Sequence, residues 1–351
     1  MPQTILNAYG LTGNDVETSA FGTGLINHTW AITTGNKKFI LQRINHNIFK
    51  QPNDIAANIR MIGDYLSKTY PGYLFVTASK TLLHHDIVFE PTEGYFRLFP
   101  FVKGSHTIDV VSSPSQAFEA AKQFGLFTKL LSGFSAAQLH ITLPDFHNLS
   151  LRYEQFETAI GTANKERIKE AAVTINFLQQ HRSIVTISES IPNNPAFKKR
   201  VTHHDTKISN VLFDDNGKGL CVIDLDTVMP GYFISDVGDM LRTYLSPVSE
   251  EEKDYSKIEI RDDYFKAIAE GYLGQMNDEL SAEEKGHFVY AGKFMIYMQA
   301  LRFVTDYINN DVYYGSRYEG QNFVRAKNQV VLLQKLMEKE EALNRMIDRW
   351  A

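Results

Sequence analysis

The chain has 351 residues, with 36 Lys and Arg against 41 Asp and Glu and a formal net charge of −5. At roughly 150 residues per domain the length predicts two domains or two packed lobes, and the mild acidity argues against a nucleic-acid partner, which calls for a basic face. A hydrophobic content of 43% with 22% charged residues excludes wholesale disorder, and a single cysteine, Cys221, excludes a disulfide scaffold or a cysteine-cluster metal site and fits a reducing compartment.

In chain order, Val16–Phe21, Thr29–Thr34 and Lys38–Ile44 are short apolar or β-branched runs separated by Gly22, Gly24, Gly35 and Asn36, and read as strands. Asn53–Leu66 places Ile55, Ile59, Ile62 and Leu66 at helical spacing. Thr81–Phe89 and Gly94–Val102 read as two more strands joined by a turn at 90–94. A β-β-β-α-β-β unit is therefore expected over residues 1–103. From Gly104 onward the pattern becomes helical, at Pro114–Leu131, Leu151–Ala163, Arg167–His181, Tyr264–Met276, Ala282–Asn309 and Gln321–Arg345. One island interrupts residues 104–351: Val211-Leu212-Phe213, a turn at Asp214-Asp215-Asn216-Gly217, then Leu220-Cys221-Val222-Ile223, a β-hairpin signature. A small β-rich lobe followed by a larger helical lobe holding one hairpin is the α+β layout of the two-lobed protein-kinase fold. The most apolar segment, Phe288–Val304, is broken by Lys293, Gln299 and Arg302 and reads as a buried helix, not a membrane span. The opening MPQTILNAYG lacks a basic stretch followed by an apolar one, so no secretory signal is expected, and the expected location is cytoplasmic.

The sharpest chemical signal flanks the hairpin. His203-His204-Asp205-Thr206-Lys207-Ile208-Ser209-Asn210 has the spacing H-x-D-x-x-x-x-N, and Ile223-Asp224-Leu225-Asp226 follows the second strand. Phosphoryl transfer needs a carboxylate to orient the attacking hydroxyl and accept its proton, with an Asn and a second carboxylate to hold Mg²⁺ against the phosphates. A hairpin with Asp205 and Asn210 before it and Asp224 after it brings these groups to one end, and hard oxygen ligands suit Mg²⁺. The alternative is a solvated acidic loop beside a core hairpin. His84-His85-Asp86 repeats the first three letters, but Pro91 stands where Asn would be required, and it reads as ordinary strand and turn. Asp236, in Ser235-Asp236-Val237-Gly238-Asp239, suits either a brace for the catalytic loop through backbone N–H groups or a helix N-cap. Gly22-Thr23-Gly24 lets the backbone approach phosphate oxygens, with Asn27 or Thr29 as donors, and no Walker-type P-loop occurs anywhere.

With these motifs the chain resembles the aminoglycoside phosphotransferase/choline kinase superfamily, and within it most the N-acetylhexosamine 1-kinases. The likeness rests on 39–45, 95–99, 203–213, VIDLDTVMPG at 222–231, SDVGDMLRT at 235–243 and RFVTDY at 302–307. The resemblance implies ATP and Mg²⁺ as cofactors and Asp205 as catalytic base, also touching the acceptor, with Lys207 near the transferred phosphate. It implies Asn210 and Asp224 as metal ligands, a hinge at Phe99–Val102 (Phe99 and Phe101 at the adenine), and residues 22–29 over the phosphates. It also implies transfer to the anomeric hydroxyl of an N-acetylhexosamine. Kinases of this fold carry a phosphate-holding lysine on the third strand, paired with a helix glutamate. Here that stretch reads Leu41-Gln42-Arg43 and the helix offers Asn58, so either Gln42 or Arg43 meets the phosphates or the contact is absent. A neutral sugar needs directional hydrogen bonds, for which Arg97, Arg302, Asp306 and Tyr307 are candidates. Arg302 and Asp306 would otherwise form an i,i+4 ion pair. The rival readings are a kinase for choline, homoserine or an aminoglycoside, a nucleotide-binding pseudokinase, and a hydrolase using His203, His204 and Asp205. The expected partner is a small amino sugar, with neither nucleic acid nor membrane, and the sequence leaves monomer or dimer open.

Overall fold

The computed structural model describes residues 3–13, 15–22 and 26–350. A short helix α1 (Gln3–Ala8) precedes strands β1 (Glu17–Ala20), β2 (His28–Thr34) and β3 (Lys37–Ile44), then helix α2 (Pro52–Thr69) and strands β4 (Val88–Glu90) and β5 (Gly94–Pro100). The strands form one antiparallel sheet in the order β1-β2-β3-β5-β4. Side chains alternate across it. Leu41, Phe96 and Leu98 face outward with Ile32, where Ile5 and Leu6 of α1 cover them as a small separate core. Ile44 and the apolar stripe of α2 (Ile55, Ile59, Ile62, Leu66) instead join the large core of the helical lobe.

The strand expected over Thr81–Phe89 is confined to Val88–Glu90. The Thr81 carbonyl accepts from His84 N at 2.9 Å, its amide donates to the His85 carbonyl at 2.8 Å, and its hydroxyl accepts from His85 N at 3.0 Å. The backbone groups needed for a ladder are thus spent in a local turn, with Leu82 and Leu83 68% and 78% exposed.

The helical lobe comprises α3 (Pro114–Leu130), α4 (Leu149–Thr162), α5 (Lys165–Glu170), α6 (Ala172–Gln180), α7 (Ser183–Ser190), α8 (Phe233–Tyr244), α9 (Asp262–Met276), α10 (Ala282–Gly286), α11 (Phe288–Ile308) and α12 (Gln321–Ile347). Two helices expected as single rods are divided, at Ala171 and at His287. The second division follows a capping box of Ser281 and Glu284 that makes α10 a separate turn. The hairpin is present as β7 (Val211–Phe213) and β8 (Gly219–Val222), and a second pair, β6 (Arg200–Thr202) with β9 (Met229–Gly231), brackets it. Gly238 lets α8 press onto α11, since a Cβ there would lie 2.4 Å from the Ala291 carbonyl oxygen. That contact fixes the height at which α8 presents Asp236 and Asp239 to the loop before the hairpin.

Candidate active site

Residues 203–210 connect β6 to β7 and are suspended from α8. His204 adopts φ 67°, a left-handed conformation that turns two successive amides toward one acceptor. Asp236 takes both, Oδ2 from His203 N at 3.1 Å and Oδ1 from His204 N at 2.7 Å, while Asp239 accepts from Thr206 N at 2.8 Å. Helix α8 begins at Phe233, so Asp236 braces the loop from within the first turn and is not an N-cap. Burial lifts its carboxyl to about 7 against the opposing pull of the two N–H groups. The His203 ring donates from Nε2 to the Ile223 carbonyl, 2.9 Å away, and tethers the loop to the far end of the hairpin.

Asp205 emerges half-buried from this frame. Its Oδ2 accepts from Asn210 Nδ2 at 3.0 Å and lies 3.2 Å from Lys207 Nζ. Burial disfavours the Lys207 charge, yet Asp205, Asp239 and Asp224 together hold its ammonium above the ordinary value. Hairpin pairing places Val211 opposite Val222, and Ile223 N donates to the Asn210 carbonyl at 2.9 Å, which sets Asn210 beside Asp224. Asp224 takes φ 59°, a left-handed conformation at the end of the hairpin. Enclosure by the surrounding protein, then Asp226 and Asp205, push that carboxyl up to about 7.

Gly22 has φ 76°, while Thr23 and Gly24 lie outside the described residues. Asn27 donates to Asp226 Oδ2 at 2.7 Å and accepts from Asn45 N at 3.0 Å, and Thr29 receives Gln42 Nε2 at 3.5 Å. Strand register places the two candidates on β3 on opposite faces of the sheet. Arg43 is on the outer face, paired with Glu93 at 2.6 Å, and Gln42 faces the helical lobe opposite Arg97. Phe99 carries the Arg97 guanidinium 5.0 Å from its ring centre. Phe101 packs edge-on to Phe21 beneath Lys38, and its N–H goes to the Lys38 carbonyl. Asn58 supplies no carboxylate substitute toward β3. It donates to the carbonyls of His140 and Val228 at 2.9 and 3.1 Å and accepts from His140 N, fastening α2 to the catalytic lobe.

A cavity of about 480 Å³ opens between α4, α11 and the loop after α11, and its walls include Arg152, Arg302, Thr305, Asp306 and Tyr313. Arg302 donates to Gln299 at 2.9 Å and reaches the Tyr313 hydroxyl at 3.4 Å. It forms no ion pair with Asp306 among the described residues, so the i,i+4 alternative is set aside. Asp306 accepts from the N–H groups of Tyr313 and Tyr314 at 2.7 and 2.9 Å and from Asn322 at 3.1 Å, and shapes the loop. Tyr307 does not line this cavity: its hydroxyl goes to Glu170 and its ring stacks on Phe323. Arg97 likewise lies in β5, away from this cavity. Buried His147 links cavity and catalytic loop. Its ring stands 5.4 Å from that of His204, both rings reach the Ser235 hydroxyl, and Arg302 and Arg152 help depress its pKa.

A profile of the phosphotransferase enzyme family matches residues 17–275, from β1 through α9. The chain belongs to the phosphotransferase enzyme family. Among solved structures, this phosphotransferase is similar to an aminoglycoside phosphotransferase from Alicyclobacillus acidocaldarius, at 12% identity and TM-score 0.62 over 99% of this chain and 97% of that one. It is similar to a choline kinase from Cryptosporidium parvum, at 14% identity and TM-score 0.59 over 99% and 98%. A spectinomycin phosphotransferase in complex with ADP and spectinomycin aligns at 14% identity and TM-score 0.54 over 97% of each chain. These neighbours share the two-lobed, kinase-like α+β fold, and the family assignment makes the chain a small-molecule phosphotransferase. No helix among the described residues is long and apolar enough to cross a membrane.

Proposed function

We propose that this phosphotransferase moves the γ-phosphoryl group of ATP to a sugar hydroxyl, the anomeric one of an N-acetylhexosamine. The observation that carries the reading is the convergence of Asp205, Lys207, Asn210 and Asp224 at one end of the β7–β8 hairpin. The Asp205 carboxylate accepts the hydrogen bond of the acceptor hydroxyl, orients its oxygen, and ends the reaction holding its proton. Lys207, kept charged by its acidic neighbours, offers a cation beside that carboxylate. The donor set fits Mg²⁺: no N–H among the described residues reaches Asn210 Oδ1 or the Asp224 carboxylate, and both are hard oxygens. Bound there, Mg²⁺ neutralises charge on the phosphates. Asp236 and Asp239 keep the loop fixed, which places Asp205 before the substrate arrives.

The acceptor reading rests on the cavity. Its two guanidiniums, Arg152 and Arg302, act on each other, and burial together with Arg302 lowers the Arg152 pKa. Asp306 already accepts three N–H hydrogen bonds from its own loop and Asn322. Glu154 is a further carboxylate on these walls, so the preference for a neutral, hydroxyl-rich ligand over choline or an aminoglycoside rests on the two guanidiniums. The test is ADP release from Mg-ATP across N-acetylglucosamine, N-acetylgalactosamine, glucose, galactose, choline, homoserine and kanamycin. Turnover confined to the N-acetylhexosamines is expected. Turnover with choline or kanamycin alone would overturn the sugar assignment, and silence with tight ATP binding would favour a pseudokinase.

A further inference from the structure

We propose that Arg97, on the inner face of β5, is the cation that receives the nucleotide's phosphate oxygens, held ready by Gln42 and Asp226 in place of a lysine on β3 and a glutamate on the following helix. The inference rests on the kinase reading above and extends it to residues that reading does not use. A polyphosphate entering between the lobes needs a fixed cation on the sheet side. The candidates on β3 are used elsewhere. Arg43 is outside the sheet with Glu93. Lys38, on the inner face, lies four residues toward the hinge from Gln42, about 13 Å along the strand, with its ammonium 4.1 Å from the Phe101 ring centre.

Arg97 is 2% exposed. Its Nε and Nη2 both donate to Gln42 Oε1, at 3.1 and 2.9 Å, the residue directly opposite in the strand register. Its Nη1 stands 2.5 Å from Asp226 Oδ1 as an ion pair, but without hydrogen-bond alignment, and neither atom has a hydrogen-bond partner among the described residues. A guanidinium with one unaligned edge is prepared to accept a further anion. Asp226 also ties the assembly together: its Oδ2 receives Asn27, from the segment expected over the phosphates, and it follows Asp224 by two residues. The pair is therefore continuous with the metal carboxylate on one side and the phosphate-covering loop on the other. An isolated buried ion pair adds little net stability, and α2, fastened through Asn58 to the other lobe, supplies no partner for a β3 cation.

The test measures binding, not turnover. Adenosine, AMP and ADP are titrated against wild type, Arg97→Met, the charge-free pair Arg97→Met/Asp226→Asn, and the exchange Gln42→Lys/Arg97→Gln. Arg97→Met is expected to weaken ADP by roughly ten- to hundredfold while adenosine affinity holds, and the exchange, which returns the cation to β3, should recover much of the ADP affinity. The charge-free pair leaves no unpaired buried charge and should fold while repeating the ADP defect. Arg97→Met binding ADP like wild type, or losing ADP and adenosine in equal measure with the charge-free pair doing the same, would overturn the assignment to Arg97 alone. Wild type showing no preference for ADP over adenosine would overturn the kinase reading and this assignment with it.

Discussion

The tripeptide His-His-Asp occurs twice in the molecule, at 84–86 and at 203–205, and each copy holds one histidine in the left-handed region, the first of the pair at His84 (φ 64°) and the second at His204 (φ 67°). Identical letters thus bend the chain at different positions. Everything beyond the bend differs as well. His84 and His85 are exposed, and Asp86 pairs with Arg60 on the same small lobe, whose Nε donates at 3.0 Å. His203 and His204 are buried, and a carboxylate more than thirty residues later takes both amides. The three letters do not fix the turn by themselves, and the long-range brace sets apart the copy at 203–205.

The largest break in this comparison comes from the third residue. Asp205→Asn is expected to lower kcat by about 10³-fold or more, since general-base and orienting roles are worth roughly 10²–10⁴-fold, while Asp86→Asn leaves kcat within about twofold. Steady-state ADP release on both variants checks this, and comparable losses would dissolve the distinction. Next is the brace itself. Asp236→Ala strands two buried N–H groups at about 1–3 kcal/mol each, so chemical denaturation should show a loss of roughly 2–5 kcal/mol. Asp86→Ala removes only a partly exposed ion pair, worth about 1 kcal/mol or less.

These contrasts mark what the sequence could carry. The hairpin was readable because two apolar runs flank an Asp-Asn-Gly turn, and the meeting of Asp205, Asn210 and Asp224 followed from that hairpin alone. The choice between Gln42 and Arg43 was not readable, because it depends on register across to Arg97, fifty-five residues on. Asp226 and Asp239 stood in view within quoted motifs, yet their roles need partners from β5 and the catalytic loop. Arg152 and Tyr313 come from segments some 160 residues apart and share a cavity only through helix packing. The false strand at 81–87 failed because Thr81 satisfies the backbone locally, an interaction that alternation of apolar residues does not reveal.

Acid sensitivity sharpens the comparison further. Burial holds His204 near 3 and depresses His203 and His147 as well. A folded-state pKa below the unfolded value of about 6.5 means the unfolded chain binds the extra proton, so stability is intact above pH 6.5 and falls as pH drops toward 3. Each such histidine contributes a slope of up to about 1.4 kcal/mol per pH unit. Asp236, raised to about 7, acts oppositely between roughly pH 4 and 7, so the informative quantity is the difference between wild type and variant. His204→Gln should flatten the acid limb by close to one proton in urea melts across pH 4–8. His84→Gln should leave the limb unchanged, and equal flattening by both would contradict the burial argument.

The smallest effect isolates the backbone itself. A left-handed non-glycine residue costs about 1–2 kcal/mol, and glycine removes that strain while adding roughly 0.5–1 kcal/mol of unfolded-chain entropy to be lost on folding. At position 84 the exposed ring makes no hydrogen bond among the described residues, and the amide bond to Thr81 is kept by glycine. His84→Gly should therefore stabilise by up to about 1 kcal/mol. At 204 the same relief is outweighed, because the ring receives or donates at Ser235 Oγ at 2.8 Å and packs against His147 and Gly231. His204→Gly should destabilise by about 2 kcal/mol or more. Opposite signs from one substitution at two left-handed histidines, read from paired denaturation curves, would separate the backbone strain, which both share, from the packing that only His204 has.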